Sequence, residues 1–216
     1  MRWDHVIFDL DGTLVDSAAD IEATLAWAFA EAGWPDLPLA GFKVGPPLPE
    51  LVRRCAPPGM TAAGEAAVMA HFRARYDALD FTGTRLFEGV EALMERLASA
   101  GVGLSVATMK RAAPTHKLLA LKGLTPRLRA VACVDSLPGA PATKQGMIER
   151  LCRELGLAPG RTLMVGDTPE DLHAARGAGV QAAWARYGYG EPAQSLAARP
   201  DLTLESPGQL WELARG

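Results

Sequence analysis

The sequence predicts an α/β fold with a doubly wound parallel sheet and an all-helical domain inserted after the first strand. Short apolar runs rich in strand-forming residues alternate with helical patterns along most of the chain. Such alternation is typical of a parallel sheet with helices on both faces. The alternation is interrupted once, between about residues 16 and 84, and this interruption predicts the insertion.

The predicted strands are short apolar runs that end at polar or glycine positions. The first covers residues 5 to 10 and ends abruptly at the turn-forming Asp11-Gly12-Thr13. Four later runs fit the same pattern, at residues 104–108, 130–134, 162–165 and 181–185. Between them, apolar stripes at helical spacing predict amphipathic helices through Val90, Leu93, Met94 and Leu97, and through Met147, Ile148, Leu151, Cys152 and Leu155.

The region from residue 16 to residue 84 has helical patterns but no strand pattern. One helix is predicted around Ile21, Leu25 and Phe29, and another around Val68 and Phe72, with a segment rich in proline and glycine between them. We therefore expect residues 1–15 and 85–216 to form the sheet domain. Residues 16–84 are expected to form a helical cap over the ends of the strands.

The composition restricts the possible partners of the chain. Hydrophobic residues make up 49% and charged residues 22%, with a formal net charge of -3 and a pI near 5.8. This charge provides no basic field for nucleic acid or anionic lipid, so we expect a small-molecule partner, no nucleic acid and no membrane. With neither a basic leader nor a long apolar run, the expected location is cytoplasmic. Both a monomer and a homodimer remain open.

Polar side chains follow the predicted strands at their carboxyl ends, where open parallel sheets form their sites. They are Asp9, Asp11, Thr108, Asp167 and Asp171, and Lys144 lies where the chain enters a helix. Four carboxylates at one edge would repel one another, so a cation is expected among them. Oxygen donors of this kind suit Mg²⁺, whereas the four histidines are too scattered for a zinc site.

This set of residues suits phosphoryl transfer. A carboxylate is a recognised nucleophile that forms an aspartyl-phosphate. Positions 9 and 11 point the same way along an extended segment, so Asp9 would attack phosphorus while Asp11 handles the proton of the leaving oxygen. Thr108 and Lys144 would bind the phosphoryl oxygens. Backbone N–H groups around Gly12 and Thr13 would add an anion-binding turn.

These residues, in this order, resemble the four motifs of the haloacid dehalogenase-like hydrolase superfamily. The motifs are Asp9-Leu10-Asp11-Gly12-Thr13, Thr108, Lys144, and Gly166-Asp167-Thr168-Pro169-Glu170-Asp171. The resemblance implies a Rossmann-like core with a helical cap between the first two motifs. It implies that Asp9 is the nucleophile, Asp11 the general acid and then base, and Thr108 and Lys144 the phosphate ligands. The implied Mg²⁺ ligands are the Asp9 side chain, the Asp11 carbonyl and Asp167, with Asp171 supporting the metal directly or through water.

Within the superfamily the chain is most similar to phosphoglycolate phosphatases. The similarity is carried by Val15-Asp16-Ser17-Ala18-Ala19-Asp20-Ile21, by Val44-Gly45-Pro46-Pro47-Leu48 and by Leu86-Phe87-Glu88-Gly89-Val90. The expected function is Mg²⁺-dependent hydrolysis of a small phosphate monoester, with phosphoglycolate as the first candidate. Met109 stands where the subfamily commonly has Asn, at a position where a substrate contact is expected. A phosphosugar mutase and a non-catalytic phosphate-binding relative are the alternatives.

Several individual residues have two interpretations. Lys110 is either a solvated loop charge or a substrate contact. Asp171 lies in the first turn of a predicted helix, where an acid also favours the helix dipole. Asp135 either terminates a strand or supports the site. The Gly188-Tyr189-Gly190 segment is too short for a dinucleotide-binding loop.

Overall fold

The structure is a computed structural model, and it describes residues 1–136 and 143–215. The chain divides into two compact units. The first consists of Met1–Asp16 and Leu86–Gly216, and the second of Ser17–Arg85.

The described residues contain eight strands and nine α-helices. The strands are β1 (His5–Phe8), β2 (Val15–Asp16), β3 (Arg85–Leu86), β4 (Gly103–Thr108), β5 (Ala130–Cys133), β6 (Thr162–Gly166), β7 (Gln181–Ala185) and β8 (Leu202–Leu204). The helices are α1 (Ala18–Glu31), α2 (Leu48–Cys55), α3 (Ala62–Ala78), α4 (Val90–Ser99), α5 (Ala112–Leu121), α6 (Lys144–Leu155), α7 (Pro169–Gly177), α8 (Pro192–Ala197) and α9 (Gln209–Arg215). None of these helices has the length and hydropathy that crossing a bilayer requires.

The first unit is built on a six-stranded sheet in the order β5-β4-β1-β6-β7-β8, and every neighbouring pair is parallel. The predicted α/β fold is therefore confirmed. The chain begins with β1 at the centre of the sheet, adds β4 and β5 on one side, and then adds β6, β7 and β8 on the other side. This is the order of a doubly wound topology. Strand β8 was not predicted; it has only three residues, too few for a periodic pattern to emerge. Strands β2 and β3 form a separate two-stranded sheet.

The sheet is buried because helices cover it, and its strands are apolar for that reason. All four residues of β1 and all five of β6 are buried. On one face, Ile7 and Met164 pack with Ile148 and Leu151 of α6 and with Leu172 of α7 in a single core cluster. This packing fixes the positions of α6 and α7, whose first turns carry Lys144 and Asp171.

The second unit contains α1, α2 and α3, and α1 packs against α3. Its core includes Leu25 and Phe29 from α1 and Val68 and Phe72 from α3, which are the stripes that the sequence predicted. Asp20 joins the two ends of the unit. One of its carboxylate oxygens accepts from the N–H of Gly83 at 3.1 Å and the other from the hydroxyl of Thr84 at 2.6 Å.

Candidate active site

Asp9 lies one residue beyond β1, at the carboxyl end of the central strand. Phe8 is level with Val106 of β4 and with Val165 of β6. The N–H of Asp9 donates to the carbonyl of Val165 at 2.8 Å, so the backbone at this position still follows the sheet. The side chain of Asp9 is buried. The sheet itself thus sets the position of this carboxylate.

Asp9, Asp167 and Asp171 form a buried carboxylate cluster. One oxygen from each residue lies within 4.8 Å of the others. Asp167 directly follows β6, and Asp171 lies in the first turn of α7. Both are buried. The predicted convergence of these three carboxylates at one edge is what the structure shows.

Lys144 supplies a positive charge to this cluster. Its ammonium donates to Asp9 Oδ1 at 2.6 Å and to the carbonyl of Ala107 at 3.1 Å, and it lies 2.9 Å from Asp171 Oδ1. Two of these contacts are hydrogen bonds, whereas the contact with Asp171 Oδ1 is an ion pair without a hydrogen bond. With all groups ionised, one positive charge among three negative charges leaves two negative charges uncompensated. A divalent cation would balance them, and its preferred ligands are carboxylate oxygens.

The pKa values of the cluster reflect this shortage of positive charge. Burial raises the pKa of Asp9 to about 7, and Asp171 and Asp11 add to that effect while Lys144 opposes it. Burial also raises the pKa of Asp167 well above its ordinary value, assisted by Asp171 and Asp9. Burial on its own lowers the pKa of Lys144, but the attraction of Asp171 and Asp9 outweighs it and the net shift is upward. The ammonium form of Lys144 is therefore favoured, whereas burial disfavours the ionised forms of Asp9 and Asp167, which a bound cation would favour.

Hydrogen bonds fix the orientation of Asp167. Its Oδ2 accepts from the N–H of Tyr189 at 2.8 Å, and its Oδ1 is 3.4 Å from the hydroxyl of Thr13. The indole N–H of Trp184 donates to its carbonyl at 3.0 Å. A carboxylate held in this way loses little freedom when it binds a cation.

Asp171 has the helix-terminal role that the sequence allowed, and its support of a metal stays a prediction. Its Oδ2 accepts from the N–H of Thr168 at 3.1 Å and from the Thr168 hydroxyl at 2.7 Å, and it therefore closes a capping box at the start of α7. Its Oδ1 faces Lys144. The capping box of α7 thus holds the Asp171 carboxylate that pairs with Lys144.

Asp11 pairs with a different lysine. The ammonium of Lys110 lies 3.0 Å from Asp11 Oδ1 and 2.8 Å from Oδ2. The backbone N–H of Lys110 donates to the hydroxyl of Thr108 at 3.2 Å, and Thr108 is the last residue of β4. Lys110 therefore contacts two of the predicted site residues. The sequence placed it beside Thr108 but held no signal that its side chain reaches Asp11.

The turn after Asp11 requires glycine at position 12. Gly12 has φ +86°, and a Cβ atom there would overlap the Asp167 carboxylate. The N–H of Gly12 donates to the carbonyl of Val15 at 2.9 Å, and that of Thr13 to the carbonyl of Leu10 at 3.3 Å. Both N–H groups are thus engaged within the turn, and phosphate binding by Gly12 and Thr13 stays a prediction.

Two nearby residues have structural contacts. Asp135 Oδ1 accepts from the N–H of Ala112 at 2.7 Å, at the first residue of α5. This contact satisfies the first free N–H of α5, and support of the site by Asp135 stays a prediction. Met109 is partly buried and packs against the core cluster on the α6 and α7 face.

Comparison with known proteins identifies the family. The haloacid dehalogenase-like hydrolase family matches residues 6–185, which is most of the chain. The chain belongs to this family. The resemblance seen in the sequence motifs is thereby confirmed.

Relatives of this hydrolase include proteins with different names. A phosphoglycolate phosphatase from Xanthomonas campestris pv. campestris is 34% identical over 97% of this chain and 95% of its own length. A 5'-nucleotidase from Pseudomonas aeruginosa is 30% identical, covering 93% of this chain and 90% of its own. Among solved structures, a haloacid dehalogenase-like hydrolase from Streptococcus pneumoniae has a TM-score of 0.86 at 28% identity, with 98% of both chains covered.

Proposed function

We propose that this hydrolase is a Mg²⁺-dependent phosphatase that cleaves a small phosphate monoester through an aspartyl-phosphate on Asp9. The observation that carries the proposal is the position of Asp9, which is buried at the end of the central strand and bonded to Lys144 at 2.6 Å. Asp167 and Asp171 lie beside it. The named phosphatases among the relatives support the same class of reaction.

In the first half-reaction a carboxylate oxygen of Asp9 attacks the phosphorus atom, and the bond from phosphorus to the ester oxygen breaks. Asp11 donates a proton to the leaving oxygen, which departs as an alcohol. In the second half-reaction water attacks the phosphorus and gives its proton to Asp11. Inorganic phosphate leaves, and the Asp9 carboxylate is restored.

Lys144 favours the ionised form of the nucleophile and orients it. Its bond to Asp9 Oδ1 lowers the pKa of a carboxylate that burial has raised. The same ammonium lies close enough to contribute to phosphoryl binding if a phosphoryl oxygen replaces the Ala107 carbonyl as its third partner. The hydroxyl of Thr108 would donate to a second phosphoryl oxygen.

The donor set fits Mg²⁺. The side chains of Asp9 and Asp167 and the carbonyl of Asp11 would hold the ion, with Asp171 supporting it directly or through water. When bound, the ion would supply the positive charge that the cluster lacks and would offset charge on the transferring phosphoryl group. The uncompensated charge and the raised pKa values of Asp9 and Asp167 support this assignment.

The substrate is proposed to be a small phosphate monoester, with phosphoglycolate first. This choice is supported by the names of relatives, which also include a 5'-nucleotidase. We further propose that residues 16–84 act as the cap, which would select the leaving group.

A phosphate-release screen tests this function. The substrates would be phosphoglycolate, a hexose phosphate and a nucleoside 5′-monophosphate, each assayed with Mg²⁺ and with a chelator. We expect release that depends on Mg²⁺, and an Asp9→Asn variant should lose about 10³-fold or more of kcat because the amide is not a nucleophile. Asp4→Asn is the matched control, since Asp4 pairs with Arg161 on an exposed surface.

Three results would each count against the proposal. Formation of an isomeric sugar phosphate without phosphate release would favour a mutase. Absence of turnover from all esters, with Asp9→Asn behaving like the wild type, would favour a non-catalytic phosphate-binding protein. Substantial kcat in a folded Asp9→Asn variant would exclude Asp9 as the nucleophile.

A further inference from the structure

The segment Tyr187-Gly188-Tyr189-Gly190, here called the tyrosine loop, lies beyond β7 and outside the four family motifs. We propose that the tyrosine loop is a positioning element that holds the Asp167 carboxylate in place for the divalent cation. The inference rests on the proposed function, because it concerns a ligand of the proposed metal site. It assigns a task to a segment for which the sequence indicated none.

The two glycines of the loop allow a close backbone approach to Asp167. A Cβ atom added at Gly188 would overlap the Asp167 side chain and the carbonyl oxygen of Gly12. One added at Gly190 would overlap the carbonyl oxygen of Asp167. No side chain fits at either position without moving backbone or the carboxylate. The loop therefore lies in direct contact with the residue that it is proposed to hold.

This close approach places a hydrogen-bond donor on the carboxylate. Between the two glycines, the N–H of Tyr189 donates to Asp167 Oδ2 at 2.8 Å. Asp167 is fully buried, and in such surroundings a hydrogen bond to a carboxylate is stronger than in water. Because the donor belongs to the backbone, its position depends on how firmly the loop is anchored.

Both tyrosine side chains anchor the loop to the first unit. The Tyr189 hydroxyl donates to Asp16 Oδ1 at 2.5 Å, and the Tyr187 hydroxyl donates to the carbonyl of Thr13 at 3.0 Å. The ring of Phe87 lies 5.2 Å from the Tyr187 ring and 6.4 Å from the Tyr189 ring. The contact with Thr13 connects the loop to the turn after Asp11. The contacts with Asp16 and Phe87 connect it to the points where the chain leaves and re-enters the first unit.

Asp167 is thus held between two segments. The hydroxyl of Thr13 approaches one carboxylate oxygen and the N–H of Tyr189 the other. Residues that orient metal ligands in this way commonly affect metal affinity by about 10- to 100-fold. Loosening the tyrosine loop should therefore weaken cation binding even though none of its side chains is a proposed ligand.

Titration calorimetry of the full chain with Mg²⁺ alone tests the inference. We expect Gly188→Ala and Tyr189→Ala to raise the Mg²⁺ dissociation constant about 10-fold or more, and Tyr189→Phe to raise it by a smaller factor. Gly160→Ala is the matched control, because a Cβ atom at that position meets no other atom within 4 Å. Its affinity should equal that of the wild type. Thermal unfolding in chelator would establish that each variant is folded.

Wild-type affinity for Mg²⁺ in folded Gly188→Ala would overturn the inference. If Gly188→Ala does not fold, wild-type affinity in folded Tyr189→Ala would overturn it instead. Mg²⁺-dependent phosphate release by the wild type, with no effect of the loop variants on Mg²⁺ affinity, would overturn the inference and leave the proposed function standing. If the wild type binds no Mg²⁺, both are overturned.

Discussion

Strand β1 buries an ionisable side chain at its amino end, His5, and another just past its carboxyl end, Asp9. At the amino end, His5 Nε2 lies 2.9 Å from the hydroxyl of Ser105. Burial, with a smaller effect of Arg129, lowers the pKa of His5 to about 4. The imidazole is therefore neutral at physiological pH.

At the carboxyl end of β1, the buried ionisable group has a partner of opposite charge. Asp9 pairs with Lys144, so its charge has a partner of opposite sign, although two more carboxylates lie nearby. A buried group that only has to pack is least costly when neutral, whereas a nucleophile must keep its charge. This difference supports the proposal that the carboxyl end is the reactive one.

The largest effect is expected from removing the lysine at the carboxyl end. Lys144→Met leaves Asp9 and Asp171 without their cation, so kcat should fall about 10³-fold as the nucleophile becomes protonated and phosphoryl binding weakens. Loss of one partner from a buried ion pair should also cost about 3 kcal/mol of unfolding free energy. Steady-state kinetics and urea unfolding would measure these two effects.

Lys122→Met is the matched control for Lys144→Met, since Lys122 lies at the end of α5, away from the cluster. It should leave kcat unchanged. A Lys144→Met variant with near-wild-type kcat would show that the charge balance at this end is not needed for turnover.

A smaller effect is expected from the second lysine at the same end. Lys110→Met removes the ion pair with Asp11 at 2.8 Å and so leaves the proposed general acid less well positioned. We expect kcat to fall about 10-fold on an alkyl phosphate, whose leaving oxygen needs a proton. It should change little on p-nitrophenyl phosphate, whose leaving group departs without one. Measurement of kcat on both esters would show whether the loss depends on the leaving group's need for a proton.

Lys110→Arg keeps the charge and should recover part of the lost activity on the alkyl ester. Equal losses on both esters in Lys110→Met would contradict a role through Asp11. They would indicate direct contact with the substrate instead.

The smallest effect is expected at the amino end of β1. The pKa of His5 is lowered on folding, so as pH falls from 7 to 5 the unfolded chain takes up a proton that the folded chain excludes, and stability is lost. This loss should be about 1 to 2 kcal/mol, less than the full pKa difference implies, because only part of that difference titrates between pH 7 and 5. His5→Gln should remove this part of the pH dependence, as measured by urea unfolding at both pH values. If the unfolding free energies of the wild type and of His5→Gln changed equally between the two pH values, His5 would not titrate in this way.

Much of this carboxyl end was predictable from sequence. The five predicted runs correspond to β1, β4, β5, β6 and β7, because apolar runs of four to six residues between turn signals are a local pattern. Parallel strands bring their carboxyl ends to one edge, and this rule predicts that Asp9 and Asp167 lie together. Strand β8 was too short to carry such a signal.

The sequence by itself determined the family and the order of the chemical groups along the strand ends, since both are properties of local motifs. Only the tertiary structure decided how these groups pair. Lys144 and Asp9 are 135 positions apart, and Lys110 and Asp11 are 99 apart. Their contacts depend on helix packing and loop paths. The contact of the tyrosine loop with Asp167 likewise depends on the tertiary structure, because two glycines permit a close approach but do not specify the partner.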